Sequence, residues 1–378
     1  MASYRKLKSG WQYRISYKVN DKYKEKTGSG FKTKTEARIE AGKAEKQIKI
    51  QEENGTIETS DSTFYDYFKS WYEVFKEPHI SEITQRKYET TQKKIKQHFG
   101  EIKLKDVKIE HYQRFINEYG STHAIASTRK INHQLKTCLN HAEHTGLITS
   151  NPTYNIKLSG RPAKDESKKY LDESDAKKLN KALLQDYDGS QTGRAMCIFA
   201  LNTGCRLGEV MALTENKIDR KNMIITIDSS WDYKITNTFS TTKTTSSVRQ
   251  IAIDQQTLDI LDICINYYKR LAMRTGQRNH KNLVFLTKRF SPISSNGVDN
   301  SLQKAIKRAG IEKSITFHGL RHTHASLLLL KGVDIGFVAK RLGHKNSVIT
   351  SEIYAHVLKE TEDKGNSEIS LLAKDIFN

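Results

Sequence analysis

No stretch of the 378-residue chain approaches the roughly 18 consecutive apolar residues that a membrane span needs, and the opening MASYRKLKSGW lacks the apolar segment of a secretory signal. A cytoplasmic protein with no membrane partner is therefore expected. Cysteine is scarce: Cys138, Cys197, Cys205 and Cys264 stand far apart without a CxxC pair, which argues against a zinc ribbon or a disulfide framework and leaves four small buried hydrophobes. Acidic residues are also in deficit, with 43 Asp and Glu against 63 Lys and Arg and a formal charge of +20. Such a balance points to a polyanionic partner rather than to a small metabolite. No internal repeat or low-complexity tract interrupts the chain.

The length suits two or three domains, each with its own core. The basic excess is steepest at the front, where residues 1–50 hold 14 Lys and Arg against 5 Asp and Glu. There WQYRISY (11–17) alternates as a strand, Asn20-Asp21 offers a turn, and Lys22 to Thr27 returns as the hairpin partner. Thr33 and Glu36 have capping-box spacing, and Ala37, Ala41, Ala44 and Ile48 recur at helical intervals, predicting a helix of about 15 residues over a small two- or three-stranded sheet. Tyr4, Arg5, Lys6, Arg14 and Tyr17 are expected on the outward face of that sheet, and a β-sheet can read a DNA major groove.

The polar, acidic QEENGTIETSDS (51–62) reads as a linker. Phe64, Tyr67, Phe68, Trp71, Tyr72 and Phe75 then fall at spacings of three and four, an aromatic helical face expected to pack in a core rather than stack on bases. Further helices are predicted from Thr84 to Phe99, Lys108 to Tyr119 and Ile125 to Thr145, the first and last stopped by Gly100 and Gly146. Lys87, Lys93, Lys94, Lys96, Arg129, Lys130 and Lys136 decorate this all-helical module, either as phosphate contacts that fix position or as a solvated face. A second linker is expected near 155–168. Beyond it the pattern predicts helices near 174–186, 191–202, 255–274, 298–309, 318–331 and 335–342, with strands near 223–228, 248–253 and 283–286. The expected fold class is multidomain α+β: a small three-stranded sheet plus helix, an all-helical bundle, and a mainly helical domain with a small antiparallel sheet.

Three constellations carry chemistry. In TGCRLGEV (Thr203–Val210), Gly204 ends a helix and Arg206 leads toward a new one containing Glu209. An arginine there can present its fork of donors to a phosphate with Glu209 orienting it from behind, although a surface salt bridge would also explain the pair. In HGLRHTH (His318–His324), His318 and Arg321 share a helical face. His318 and His322 are four apart, a zinc spacing, but no third ligand follows, so neither metal nor cofactor is expected. In LGHKNSVITSEIYAHV (Leu342–Val357), His344 follows a glycine and Tyr354 lies ten residues later. Among 17 tyrosines, Tyr354 means little alone.

The order of these motifs, Arg206, then His318 with Arg321, then Leu342-Gly343-His344, then Tyr354, resembles the signature of tyrosine recombinases. The chain resembles in particular the integrases of temperate phages and of integrative elements of Gram-positive bacteria, over essentially its whole length. The resemblance implies an arm-type DNA-binding domain at 1–55, a helical core-site DNA-binding domain at 63–155 and a catalytic domain at 168–378. It also implies a hairpin lysine, matched by Lys243 in TTKTTSSVRQIAI.

By that resemblance, Arg206 and Arg321 clamp the phosphate, Tyr354 attacks to form a 3′-phosphotyrosyl link, Lys243 protonates the leaving 5′ oxygen and His344 hydrogen-bonds the phosphate. His318 is the candidate base. The implied setting is a homotetramer on core-type and arm-type sites in double-stranded DNA, passing through a Holliday junction, in the nucleoid of a bacterial host, with an excisionase as a further partner. Apolar Ile369, Leu372, Ile376 and Phe377 in the tail fit docking on a neighbouring subunit or packing within their own. Two other readings compete: a type IB-like topoisomerase with similar residues, and a non-catalytic DNA-binding regulator.

Overall fold

The computed structural model describes residues 2–19, 22–54, 62–162, 169–241, 245–348, 350–351 and 354. Lys243 and the C-terminal tail lie outside them. The chain forms two compact units, Met1–Ala163 and Lys164–Asn378.

The first unit opens with an antiparallel sheet of β1 (Ser3–Leu7), β2 (Gly10–Val19) and β3 (Lys22–Phe31), in that order. Helix α1 (Lys34–Asn54) covers one face, with Ala37, Ala41, Ala44 and Ile48 buried against Tyr13 and Ile15. Its start is capped as the Thr33 and Glu36 spacing predicts: Glu36 N–H donates to Thr33 Oγ1 at 3.1 Å, and Lys32 N–H to Glu36 Oε2 at 2.9 Å. The helix runs through Asn54, so residues 51–54, expected in a linker, extend it instead.

Strand parity corrects the outward face. Tyr13 and Ile15 point at the helix, and Tyr17, two residues on, shares their side; it and Tyr4, whose register partner is Tyr13, pack against that core. Arg14 lies on the opposite side with Arg5, which pairs with Gln12, so these two share the open face; Lys6 is exposed opposite Trp11.

Four helices follow: α2 (Phe64–Phe75), α3 (Glu82–Phe99), α4 (Ile109–Thr122) and α5 (Ile125–His144). The aromatic face of α2 enters their core as predicted, Phe64 meeting Phe99 edge-on at 5.1 Å and Tyr72 stacking on Tyr88 at 5.2 Å. Phe75 is the exception, exposed and set against His141. Residues 155–162, expected in the second linker, are fastened to this bundle: Ile156 and Leu158 pack on its core, Ser159 Oγ donates to the Ile116 carbonyl, and Arg161 N–H to that of His123. Their orphan backbone groups find partners, which a free linker does not offer.

The second unit contains α6 (Glu173–Leu184), α7 (Thr192–Thr203), α8 (Leu207–Met211), β4 (Ile218–Asp219), β5 (Ile224–Ile227), β6 (Ser229–Asp232), β7 (Thr238–Thr241), β8 (Arg249–Ala252), α9 (Gln255–Thr275), α10 (Ser295–Arg308), α11 (Phe317–Leu330) and α12 (Ile335–Leu342). Helix α7 is apolar all round, with residues 195–201 buried, as suits a helix enclosed by α6, α9, α10 and α11. The sheet is antiparallel in the order β4-β5-β8, with β6 and β7 as a separate hairpin. The run 283–286 is no strand. It makes one isolated bridge, Leu283 with Thr214, while its four apolar side chains are buried and the Leu286 carbonyl accepts from the hydroxyls of Thr192 and Tyr268. Among the described residues, no helix is long and apolar enough to cross a membrane.

Candidate active site

Helix α7 ends at Gly204 in the left-handed conformation (φ 70°), and a Cβ there would come within 2.8 Å of both the Leu342 and His324 side chains. The tight exit sets Arg206 at the start of α8. Glu209, three residues on, caps that start: Oε2 accepts the Arg206 N–H at 2.9 Å, and Oε1 accepts from Arg206 Nη1 at 2.8 Å. Glu209 is 4% exposed and also meets the buried Arg249 of β8, Nη1 to Oε1 at 3.2 Å and Nη2 to Oε2 at 2.9 Å. Burial alone would raise its carboxyl; Arg249 and then Arg206 hold it below the usual carboxylate value.

The C-terminus of α12 organises the rest. A helix leaves its last carbonyls without intrahelical partners. Here Gly343, left-handed at φ 70°, lets its own N–H reach the Lys340 carbonyl and that of His344 the Ala339 carbonyl. The next three carbonyls each take a different arginine: Arg341 O accepts from Arg249 Nε at 2.6 Å, Leu342 O from Arg321 Nη2 at 2.8 Å, and Gly343 O from Arg206 Nη2 at 3.3 Å. Arg321, on α11, also donates through Nη1 to the Gly204 carbonyl at 2.8 Å, joining both glycine loops. Cations at the negative end of a helix dipole are favourably placed. Burial and then Arg206 push the Arg321 guanidinium down to about 10, so it stays charged at neutral pH.

Around these arginines lie three imidazoles and the tyrosine. His344 is half-buried and its Nδ1 meets Thr350 Oγ1 at 2.7 Å. Desolvation, then Arg321 and Arg206, push it down to about 4, leaving it neutral at pH 7. The same causes, with His322 first among the charges, hold His318 below the ordinary imidazole value, although its solvent-exposed edge screens the effect. Tyr354 is buried with Ala325, Leu329, Val338 and Leu342, and its hydroxyl lies 3.1 Å from His322 Nδ1. His318 stands behind His322, ring centres 4.9 Å apart. His322 is thus in contact with the phenol, and the expected base, His318, is in contact with His322.

Behind the site, Arg341 joins four elements, donating to His324 Nε2 at 3.0 Å and to the carbonyls of Ala252 and Asn202, both at 3.1 Å. His324 Nδ1 meets Leu201 O at 2.9 Å, and burial followed by Arg341 pushes this imidazole down to about 3. The acid sensitivity follows. The unfolded imidazole titrates near 6.5 and the folded one near 3, so the penalty is absent above about pH 6.5, grows as pH falls and levels off below about 3. His324→Gln, which does not titrate, should reduce the stability lost between pH 7.5 and 4.5 by about 2 to 3 kcal/mol, measured by urea unfolding; an unchanged loss would refute the assignment.

The structure therefore brings together Arg206, Glu209, His318, Arg321, His344 and Tyr354; Lys243 lies outside the described residues, between β7 and β8 in sequence. In the first unit Lys87, Arg129 and Lys130 are exposed and Lys94 half-buried beside Gln97, on α3 and α5. No group of three or more His, Cys, Asp or Glu that could hold a metal ion occurs among the described residues. Sequence reasoning missed Arg249, His322 as the tyrosine's neighbour, and Arg341.

Residues 169–361 match the phage integrase family, and residues 63–119 match the phage integrase N-terminal SAM-like domain. The prophage ps2 probable integrase of Lactococcus lactis is 27% identical, covering 90% of this chain and 91% of that one. A XerC-like tyrosine recombinase of Caldanaerobacter subterraneus is 28% identical over 87% of this chain and 88% of its own. Among solved structures, the Tn1549 transposon integrase in complex with transposon right end DNA shares the fold, with a TM-score of 0.67 at 17% identity over 82% of this chain and 99% of that one. The chain belongs to the phage integrase family and is a site-specific recombinase of the tyrosine type.

Proposed function

We propose that this recombinase cleaves and rejoins double-stranded DNA through a 3′-phosphotyrosyl intermediate on Tyr354, integrating and excising a mobile element. The observation that carries the reading is the convergence of Arg206, Arg321 and His344 on the α12 terminus, with Tyr354 packed against the same helix. Phosphodiesters resist attack because the anion repels nucleophiles and the alkoxide leaves poorly. Two guanidiniums held by backbone carbonyls meet the first obstacle: each keeps further N–H donors for the non-bridging oxygens, where charge grows in the five-coordinate transition state. His344, its Nδ1 engaged by Thr350, offers Nε2 to the same phosphate. Lys243 meets the second obstacle by protonating the leaving 5′ oxygen.

The phenol, with an ordinary pKa near 10, needs a proton acceptor at neutral pH. The His322–His318 pair supplies it, His322 touching the hydroxyl and His318 held neutral behind it. His322→Phe is expected to slow single-turnover adduct formation about 100-fold with DNA affinity unchanged. The deficit should shrink as pH rises, because hydroxide increasingly replaces the imidazole as acceptor of the phenol's proton. A full rate in His322→Phe with the whole loss in His318→Phe would return the role to His318.

The open sheet face with Arg5 and Arg14 would bind arm-type sites, and the helices carrying Lys87, Lys94, Arg129 and Lys130 would flank the core site, where exchange runs within a homotetramer. An excisionase would set direction. The test is to mix the protein with nicked suicide DNA carrying its core site, then with two attachment-site DNAs. A covalent adduct followed by strand exchange is expected. Absence of adduct defeats the enzymatic reading, and relaxation without exchange would favour a topoisomerase.

A further inference from the structure

Arg249 is an arginine placed where stability alone does not ask for one. Its side chain and that of Glu209 are each 4% exposed. Replacing a buried ion pair by apolar groups is often neutral or stabilising, so such a pair is better understood through the geometry it imposes. Its fork grips both Glu209 oxygens, Nη1 also donates to Ser247 O at 2.9 Å, and Nε takes the Arg341 carbonyl, the first of the three that hold arginines. A Cβ on Gly343 would lie 3.0 Å from Arg249 Nη1, so the loop leading to His344 rests on this guanidinium.

We propose that Arg249 is a positioning residue for strand cleavage, sharing the charge of Glu209 so that Arg206 is free for the phosphate and setting the α12 terminus in register with Arg206 and Arg321. The inference rests on the strand-cleavage reading above. Glu209 has one negative charge and two guanidiniums upon it. Without Arg249, the whole of that charge falls on Arg206 and competes with the phosphate for the same donors. The Arg341 carbonyl loses its partner as well, one residue from the carbonyl that holds Arg321. Arg249 itself is buried and is not assigned a contact with DNA.

The experiment compares wild type, Arg249→Met, Arg249→Lys, and Arg249→Met combined with Glu209→Gln, by single-turnover cleavage of suicide core-site DNA at saturation, alongside DNA affinity and thermal melting. Arg249→Met should bind DNA within about threefold of wild type yet cleave about 100-fold more slowly. Adding Glu209→Gln should recover about tenfold of that rate, because it releases Arg206. Arg249→Lys keeps a cation but not the fork, and should cleave about tenfold more slowly than wild type; it serves as the variant of record if Met does not fold. Cleavage within threefold of wild type, loss of affinity in proportion to cleavage, or no recovery in the double variant would overturn the proposal, as would Arg249→Lys at the wild-type rate. No adduct from wild type overturns the strand-cleavage reading and this inference together; a wild-type adduct with a full rate in Arg249→Met overturns only this one.

Discussion

Tyr354→Phe is expected to form no covalent adduct with suicide core-site DNA while binding that DNA as wild type does. The substitution removes one oxygen. The ring remains to fill its place among Ala325, Leu329, Val338 and Leu342, so the packing is kept. The folded state loses the contact of the hydroxyl with His322 Nδ1, a hydrogen bond of the kind that contributes about 0.5 to 1.5 kcal/mol, too little to unfold the unit. Cleavage loses its nucleophile. The measurement is adduct on a denaturing gel beside affinity on a native one. Adduct from the Phe variant at the wild-type rate would mean that Tyr354 is not the nucleophile.

The C-terminal part of the site was legible because its chemistry constrains residue type and spacing together. His318 and Arg321 are three apart on α11, and Gly204 and Gly343 mark two helix ends where the backbone turns left-handed, so the motifs carried their geometry with them. Arg249 was hidden by the composition. In a chain with 63 basic residues, an arginine on a strand reads as solvated, and its partner Glu209 is 40 residues away. A signal was nevertheless present: in β8, Arg249 and Ile251 alternate with Gln250 and Ala252, which puts the arginine on the buried face. The same parity rule would have placed Tyr17 beside Tyr13 and Ile15 rather than on the open face. His322 was passed over because its spacing from His318 suggested a metal, whereas the partner it finds is a phenol that only the tertiary fold brings near. The misread strand at 283–286 and linker at 155–162 share one cause. Apolar or polar character was legible there, but whether backbone groups pair with a strand, a side chain or a neighbouring loop is settled by distant residues such as Thr192, Tyr268, Ile116 and His123.

Arg321→Ala should lower single-turnover cleavage about 1,000-fold or more while leaving most of the DNA affinity. The guanidinium is 2% exposed and spans two loops, Nη1 to the Gly204 carbonyl and Nη2 to the Leu342 carbonyl, so its remaining donors are fixed before DNA arrives. Donors fixed in advance at developing charge are worth about 3 to 4 kcal/mol each in rate, which sets the size of the loss. Affinity is another matter, because phosphate contacts spread over many basic side chains contribute in parallel. Deletion also strips two buried carbonyls of their donor, at about 1 to 3 kcal/mol of stability, so thermal melting must accompany the kinetics. Arg321→Lys separates charge from shape. An ammonium keeps the cation beside the phosphate, but as a compact point charge it does not reach both carbonyls in the planar fork that Arg321 uses, so the Lys variant should remain at least about 100-fold slow. A Lys variant near the wild-type rate would show that charge suffices and that the carbonyl clamp is incidental; affinity falling as steeply as cleavage would show that Arg321 acts in ground-state binding. Retained affinity with lost cleavage in both variants is the result that a guanidinium aimed at the transition state requires.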